Sequence, residues 1–577
     1  MRHILLPLVA MFMIMQSVMG SELEGFRVSR MTEPAGIVRT AQFSWQITSK
    51  KNNVMQTAYR LRAAASKADL KAGHNLLWDS EVVRSDMSIS VPYQGRRLPY
   101  QSTVYWQVEV WLSTGEHLKS PIQHFLTGIK QFDAEALWIG AEDADRIVIG
   151  NNNSRDLPAR YLRRSFYVNG KVRRATLYIS TMGYGQTYIN GEPVSEDVFG
   201  TLQTDYTKTV YYNTYDVTSL LRRGNNAIAS VLGNGYVLGF NSGCTSYGLP
   251  RLKAQLVVET NRDTITYVTG TDWKVTTDGP IQRNNLWNGE RYEAAREMKN
   301  WQMPFFDDSA WKQADKMQNP TGVVCPQPCN GMRIQKELSP QSIRRTDDGR
   351  IIIDMGQNMV GQVSVRLAGK KGTPVVIRHA EMLEPNDSNR IFVANLRSAN
   401  CTDTYIPASD AVFTYQPQLT YQGFRYVEIT GATSTPKPSD ITGYVIYDLM
   451  DDQGSFWCDN ELLTQLHQNA YWGIIGNYHG MPTDCPQRDE RMGWLGDHAM
   501  GCYGENLLVD NGALYYKWLQ DVADTQDDDG LIADVAPAFW VVRNKDVAWG
   551  ALSVYATFML LRRYNDINAV SKYYPFL

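Results

Sequence analysis

Residues 484–497 read DCPQRDERMGWLGD and gather four acids (Asp484, Asp489, Glu490, Asp497), two arginines (Arg488, Arg491) and Trp494 into fourteen positions. Cleaving a glycosidic bond takes one protonated carboxylic acid at the leaving oxygen. It also takes a second carboxylate that activates water or attacks carbon. Acids this close raise one member's pKa by like-charge repulsion, while an arginine holds another ionised. An indole offers a flat apolar face to a sugar ring and a dry wall beside it. The same residues would also make a surface salt-bridge network at a helix start, and spacing alone leaves both readings open. Pro486, Gly493 and Gly496 predict a loop leading into a helix.

The elements around this loop are helical. From Asn460 the apolar period becomes that of a helix, with Leu462, Leu463, Leu466, Ala470 and Ile474 on one face and Asp459 as a natural N-cap. Further helices are expected over 513–522 and 549–563, about four in all. The preceding four hundred or so residues read as β structure. Short alternating runs recur between turn signals, as in sandwiches. In 40–47 (TAQFSWQI), Phe43 and Trp45 share a face; in 104–112 (VYWQVEVWL), Trp106, Val108 and Val110 do. This module, 21–130, resembles a fibronectin type III sandwich. A second β module, 132–325, carries Asn190-Gly191, a hairpin turn signal because both central positions need positive φ. Residues 216–225 predict a short helical turn closing a loop. A third β module, 330–450, contains IIIDM (351–355), QVSVRL (362–367), PVVIRH (374–379) and RYVEI (425–429). β runs followed by helices argue separate domains.

Composition excludes several functions. A net charge of -3 gives no basic footprint for nucleic acid. The eight His form no H-E-x-x-H, and no paired C-x-x-C sets occur, so metal chemistry finds little support. Seven scattered Cys are no disulfide framework, although an exported protein would allow one bridge such as Cys325–Cys329. Residues 1–20 read as a signal peptide: Arg2, then twelve apolar residues from Ile4 to Met15, too few to span a bilayer. The chain is therefore expected to be secreted or periplasmic, with no transmembrane segment after signal removal.

The segment DCPQRDER resembles the signature of the bacterial α-L-rhamnosidases, glycoside hydrolase family 78, and the resemblance covers nearly the whole chain. Residues 137–140 (LWIG), 188–191 (YING), 216–218 (DVT) and 288–292 (NGERY) are similar to that family's lectin-like module. Residues 354–358 (DMGQN), 379–381 (HAE) and 421–426 (YQGFRY) are similar to its next β-sandwich. The resemblance implies an (α/α)6 barrel for catalysis, begun by 451–577, and an inverting, exo-acting hydrolase of terminal α-L-rhamnose on plant glycans or rhamnosides. It puts the general acid on Glu490, with Asp489 its immediate rival. It makes Asp484, Arg488 and Asp497 binders of rhamnose, with Trp494 and Trp549 in the sugar pocket. It implies no redox cofactor and allows a calcium ion in the lectin-like module. The family's general base lies late in the barrel, and no position here matches it. Asp527, Asp528, Asp529, Asp534 and Asp546 are the acids available downstream, with 527–530 reading as a solvated turn. Twelve helices with their connections need roughly 190 residues. The chain is therefore expected to hold at most the first third of a barrel, with exposed apolar helix faces. A catalytically inert glycan-binding protein is the alternative function.

Overall fold

The structure, a computed structural model, describes residues 20–150, 154–241 and 243–577. The expected signal peptide lies outside the described residues, Gly20 excepted. In the first module a three-stranded sheet (Glu22–Val28, Gln42–Thr48, Val91–Pro92) faces a five-stranded sheet centred on Gln56–Ala64 and Thr103–Leu112. Period-two alternation sends Phe43, Val104, Trp106, Val108 and Val110 into a shared core.

The second module packs a six-stranded sheet against a seven-stranded one. Leu162, Ile228 and Leu232 from one meet Leu177, Ile179 and Leu256 from the other. The Asn190-Gly191 turn joins Gly185–Ile189 to Glu192–Pro193 with φ of 53° and 91°. The helical turn expected over 216–225 is a single 3-10 turn, Thr218–Leu220.

The third module is built on Ile351–Ala368, which takes in both the IIIDM and the QVSVRL runs. Gly356 sits at φ 76° where the register shifts. Before that point the strand pairs with Ser342–Arg345; beyond it, with Ile441–Asp448. Gln422–Thr430 flanks both halves.

The chain does not respect the sequence boundary between these modules. Ile281–Asn285 and Gly289–Glu293, which the sequence reading assigns to 132–325, join the ten-stranded sheet of the third module. Arg291, Tyr292 and Glu293 pair in parallel with Thr404, Tyr405 and Ile406. Gly289 (φ 99°) permits this approach, since a Cβ there would lie 2.2 Å from the Thr402 carbonyl oxygen. The crossing carries Glu290 into the core, where it is 2% exposed. The backbone N–H of Glu290 donates to Asp403 Oδ1 (2.9 Å), and its carboxylate accepts from Tyr415 Oη (3.2 Å) and Gln418 N (3.2 Å). Burial pushes Glu290 up to about 8, helped by the neighbouring Asp403 charge, and burial pushes Asp403 up to about 7. A raised acid stabilises the fold fully below its unfolded pKa and loses that contribution as pH rises through the folded value. The melting temperature is therefore expected to fall between about pH 4.5 and pH 8. Glu290→Gln should flatten that slope in a calorimetric pH series; an unchanged slope would show that another group carries it.

Seven helical segments follow, three of them long: Glu461–Ile475, Gly512–Asp524 and Leu552–Tyr564. One expectation needs correction here. The first helix is capped one residue later than Asp459: Asn460 Oδ1 accepts from Leu462 N and Leu463 N. Asn caps as well as Asp, so the choice falls to the residue next to the first helical position. Its leucine face lies exposed, as the sequence leads one to expect. Leu462 is 76% and Leu466 62% exposed, and among the residues of this helix only Ile475 is buried. Val554 and Phe558 are exposed on Leu552–Tyr564. All seven cysteines are thiols, Cys325 and Cys329 included. Among the described residues no helix is long and apolar enough to cross a membrane.

Candidate active site

The loop at 484–494 closes on itself. Asp484 N donates to the Met492 carbonyl (2.9 Å), and Met492 N donates back to Asp484 Oδ1 (2.8 Å). Its interior is filled by Arg491, fully buried and in the left-handed region at φ 57°. The guanidinium donates to the carbonyls of Leu286 (3.1 Å), Tyr421 (2.9 Å) and Gln487 (3.0 Å) and to Gln422 Oε1 (2.8 Å). A residue of the acid loop thus serves as the rivet between loop and β modules. Two glycines let partners approach: a Cβ on Gly493 would lie 2.0 Å from the Ala536 carbonyl oxygen, and one on Gly496 2.2 Å from the Trp549 indole.

This folding brings Glu490, Asp484, Arg488 and Trp494 together. Arg488 bridges the acids, with Nε donating to Glu490 Oε2 (2.9 Å) and Nη2 to Asp484 Oδ2 (3.1 Å). Trp494 Nε1 donates to Glu490 Oε1 (2.8 Å). Burial pushes Asp484 up to about 6, with the Glu490 charge adding to the effect and Arg488 opposing it. Trp549 packs half-buried against Gly496, and its buried Nε1 has no acceptor among the described residues. Asp497 is exposed in the first turn of Leu495–Ala499.

Glu490 and its rival Asp489 have different surroundings. Asp489 Oδ1 accepts from Arg397 Nε (2.5 Å), and Oδ2 accepts from both the backbone N–H (3.2 Å) and the hydroxyl of Ser398. Three of the downstream acids serve the backbone: Asp527 closes its own turn, Asp534 accepts from Asn544 N (3.0 Å), and Asp546 caps Val547–Gly550.

Glu490 opens onto a cleft of about 420 Å³ lined by Asn241, Gly243, Cys244, Arg397, Asp489, Met492 and Trp540. Sequence reasoning missed Arg397, Trp540 and Trp287. Arg397 Nη2 donates to Glu490 Oε2 (2.9 Å), and Trp287 Nε1 holds the Glu490 carbonyl (3.0 Å). Trp540 meets Trp494 edge to face at 5.9 Å. They come from segments that carry no local signature. A larger cavity, about 540 Å³ between the first two modules, contains none of the acids of the loop. Its size gives it no claim on this chemistry.

Among the described residues, one cluster could offer three ligands to a metal: Asp484, Cys485 and Glu490, within 4.8 Å of one another. It fits a cation poorly. The Arg488 guanidinium already bridges both carboxylates, and burial raises the Cys485 thiol, so no thiolate is offered.

Four family models match the chain: a Rha78A-like N-terminal immunoglobulin domain (23–131), the α-L-rhamnosidase N-terminal domain (170–336), the bacterial α-L-rhamnosidase concanavalin-like domain (344–447) and its 6 hairpin glycosidase domain (451–577). The first module thus matches an immunoglobulin model, where the sequence suggested fibronectin III. An α-L-rhamnosidase of Formosa agariphila is 34% identical over 93% of this chain and 58% of its own length. One of Streptomyces avermitilis is 38% identical over 72% of this chain and 41% of its own. Among solved structures, α-L-rhamnosidase from Dictyoglumus thermophilum superposes with a TM-score of 0.89 at 32% identity, covering 96% of this chain and 63% of that one. The S. avermitilis enzyme complexed with L-rhamnose gives 0.88 at 27%, covering 96% and 70%. The chain spans about three-fifths of the length of the curated relatives that match it along most of its own. With all four models in the family's terms, and the acid loop folded at the meeting of three of them, this chain belongs to the bacterial α-L-rhamnosidases, a family of glycoside hydrolases.

Proposed function

We propose that this protein removes terminal non-reducing α-L-rhamnose from plant glycans or rhamnosides by an inverting mechanism. The observation that carries the reading is the Glu490 carboxyl on the wall of a cleft, oriented by Arg488 and Trp494, with Asp484 behind it. Glu490 gives its proton to the glycosidic oxygen as that bond breaks. Asp484, Arg488 and Asp497 hold the sugar hydroxyls, and Trp494 and Trp549 lie against the ring. A water on the opposite face attacks the anomeric carbon, activated by a carboxylate roughly 6.5–9.5 Å from the acid. We assign no described residue to that base. The helices of 451–577 are read as hairpins of an (α/α)6 barrel. Acid–base chemistry of this kind needs no redox cofactor, and none is assigned; calcium in the 132–325 module stays part of the proposal. From the character of residues 1–20, the protein is placed outside the cytoplasm, secreted or periplasmic.

The test is hydrolysis of an aryl α-L-rhamnoside by the full chain, with the anomer released followed by proton NMR. Release of the inverted anomer, β-L-rhamnose, supports the proposal, whereas first-formed α-L-rhamnose would remove the inverting mechanism. Rhamnose binding without turnover would leave the glycan-binding alternative in its place.

A further inference from the structure

We propose that Arg397, carried by the third β module, is the positioning residue for Glu490, and that Asp489 is its anchor. This rests on the reading of Glu490 as the proton donor. Arg397 lies outside the 484–497 loop, yet its guanidinium spans both acids there: Nε on Asp489 at 2.5 Å, Nη2 on Glu490 Oε2 at 2.9 Å. Arg488 Nε reaches the same Oε2 at 2.9 Å from within the loop. Two cations from two modules therefore converge on one oxygen, and Trp494 holds the other. Three donors in three directions fix the plane of a carboxyl that a single partner would leave free to turn.

The backbone supports a positioning role. Arg397 has φ 56° and ψ -111°, a strained conformation for a residue with a Cβ. The strain is held by Asp489, which takes the N–H and hydroxyl of Ser398 as well as Arg397 Nε. The Arg397 side chain is 50% exposed, and ion pairs so exposed contribute little stability. A strained backbone offset by a weak ion pair makes poor sense as a structural device. It makes sense as a way of aiming a side chain. The fork of arginine is needed for this: a lysine is a point charge and reaches one acid at a time.

A general acid has to lie within hydrogen-bond reach of the leaving oxygen, and misplacement by about 1 Å costs roughly 10²-fold. Leaving groups differ in their need for the proton. A 2,4-dinitrophenolate departs without it; an alkoxide does not. Arg397→Gly and Arg397→Lys should therefore lower kcat on methyl α-L-rhamnoside by roughly 10- to 100-fold, but on 2,4-dinitrophenyl α-L-rhamnoside by no more than about threefold. KM should hardly change, and free guanidinium should restore part of the Arg397→Gly rate. Glycine suits the left-handed region, so the melting temperature of that variant should hold or rise. Equal losses on both substrates, or a melting temperature that falls with the rate, would overturn the proposal. A crystal structure of Arg397→Gly decides independently of turnover. A Glu490 carboxyl displaced by about 1 Å or more supports the proposal, and an unmoved one overturns it. A wild-type chain inactive on both rhamnosides would sink the functional reading while leaving that structural comparison decisive for Arg397.

Discussion

Glu490→Gln is expected to lower kcat on an alkyl α-L-rhamnoside by roughly 10²- to 10⁴-fold, the usual contribution of a general acid, while calorimetric binding of rhamnose stays within a few-fold. The amide keeps the size of the carboxyl and one acceptor oxygen. With that oxygen turned to Arg488 and Arg397, the NH₂ faces the Trp494 N–H, so one of three contacts is lost. The proton available for transfer is lost altogether. Undiminished turnover would move the donor role elsewhere. Asp484 would be next, since burial already pushes its carboxyl up to about 6 and Arg488 links it to the same cluster.

The second large effect belongs to a residue with no part in the chemistry. Arg491→Met should destabilise the chain by on the order of 3–5 kcal/mol in chemical denaturation, because it strands several buried carbonyls at once. Turnover should fall with it. The guanidinium ties the loop's own Gln487 to Tyr421 of the third module and to Leu286 on the crossing segment. Arg491→Lys should recover little, since one ammonium cannot reach three carbonyls and the Gln422 side-chain oxygen along the directions a guanidinium offers. A stable, folded Arg491→Met protein with normal activity would show that the loop is held by other means.

Much of this was legible where the physics is local. Alternation in 40–47 and 104–112 marked the faces that Phe43 and Trp106 bury, and Asn190-Gly191 specified its own turn. The acid loop was legible for the same reason: Pro, Gly and charge within fourteen residues leave few conformations and few uses. Interactions across long separations were not. Arg397 lies 93 residues from Glu490 and Trp287 lies 203 from it, and neither sits in a pattern that singles it out. Asp489 and Glu490 looked alike because Ser398, which donates to Asp489, is remote in sequence. The leucines of Glu461–Ile475 were legible: their helical period marks one face, and that face lies outward as expected.

The crossing of Gly289–Glu293 into the neighbouring sheet also bears on what joins the two sides of the cleft. Asn241, Gly243 and Cys244 of the second module line it together with Arg397 of the third. Separating the two modules would break the bonds that Ala159 N donates to the Ile281 carbonyl (3.0 Å) and Asn284 N donates to the Leu157 carbonyl (3.0 Å). The crossing therefore acts as a stitch between the two modules that supply the lining of the cleft.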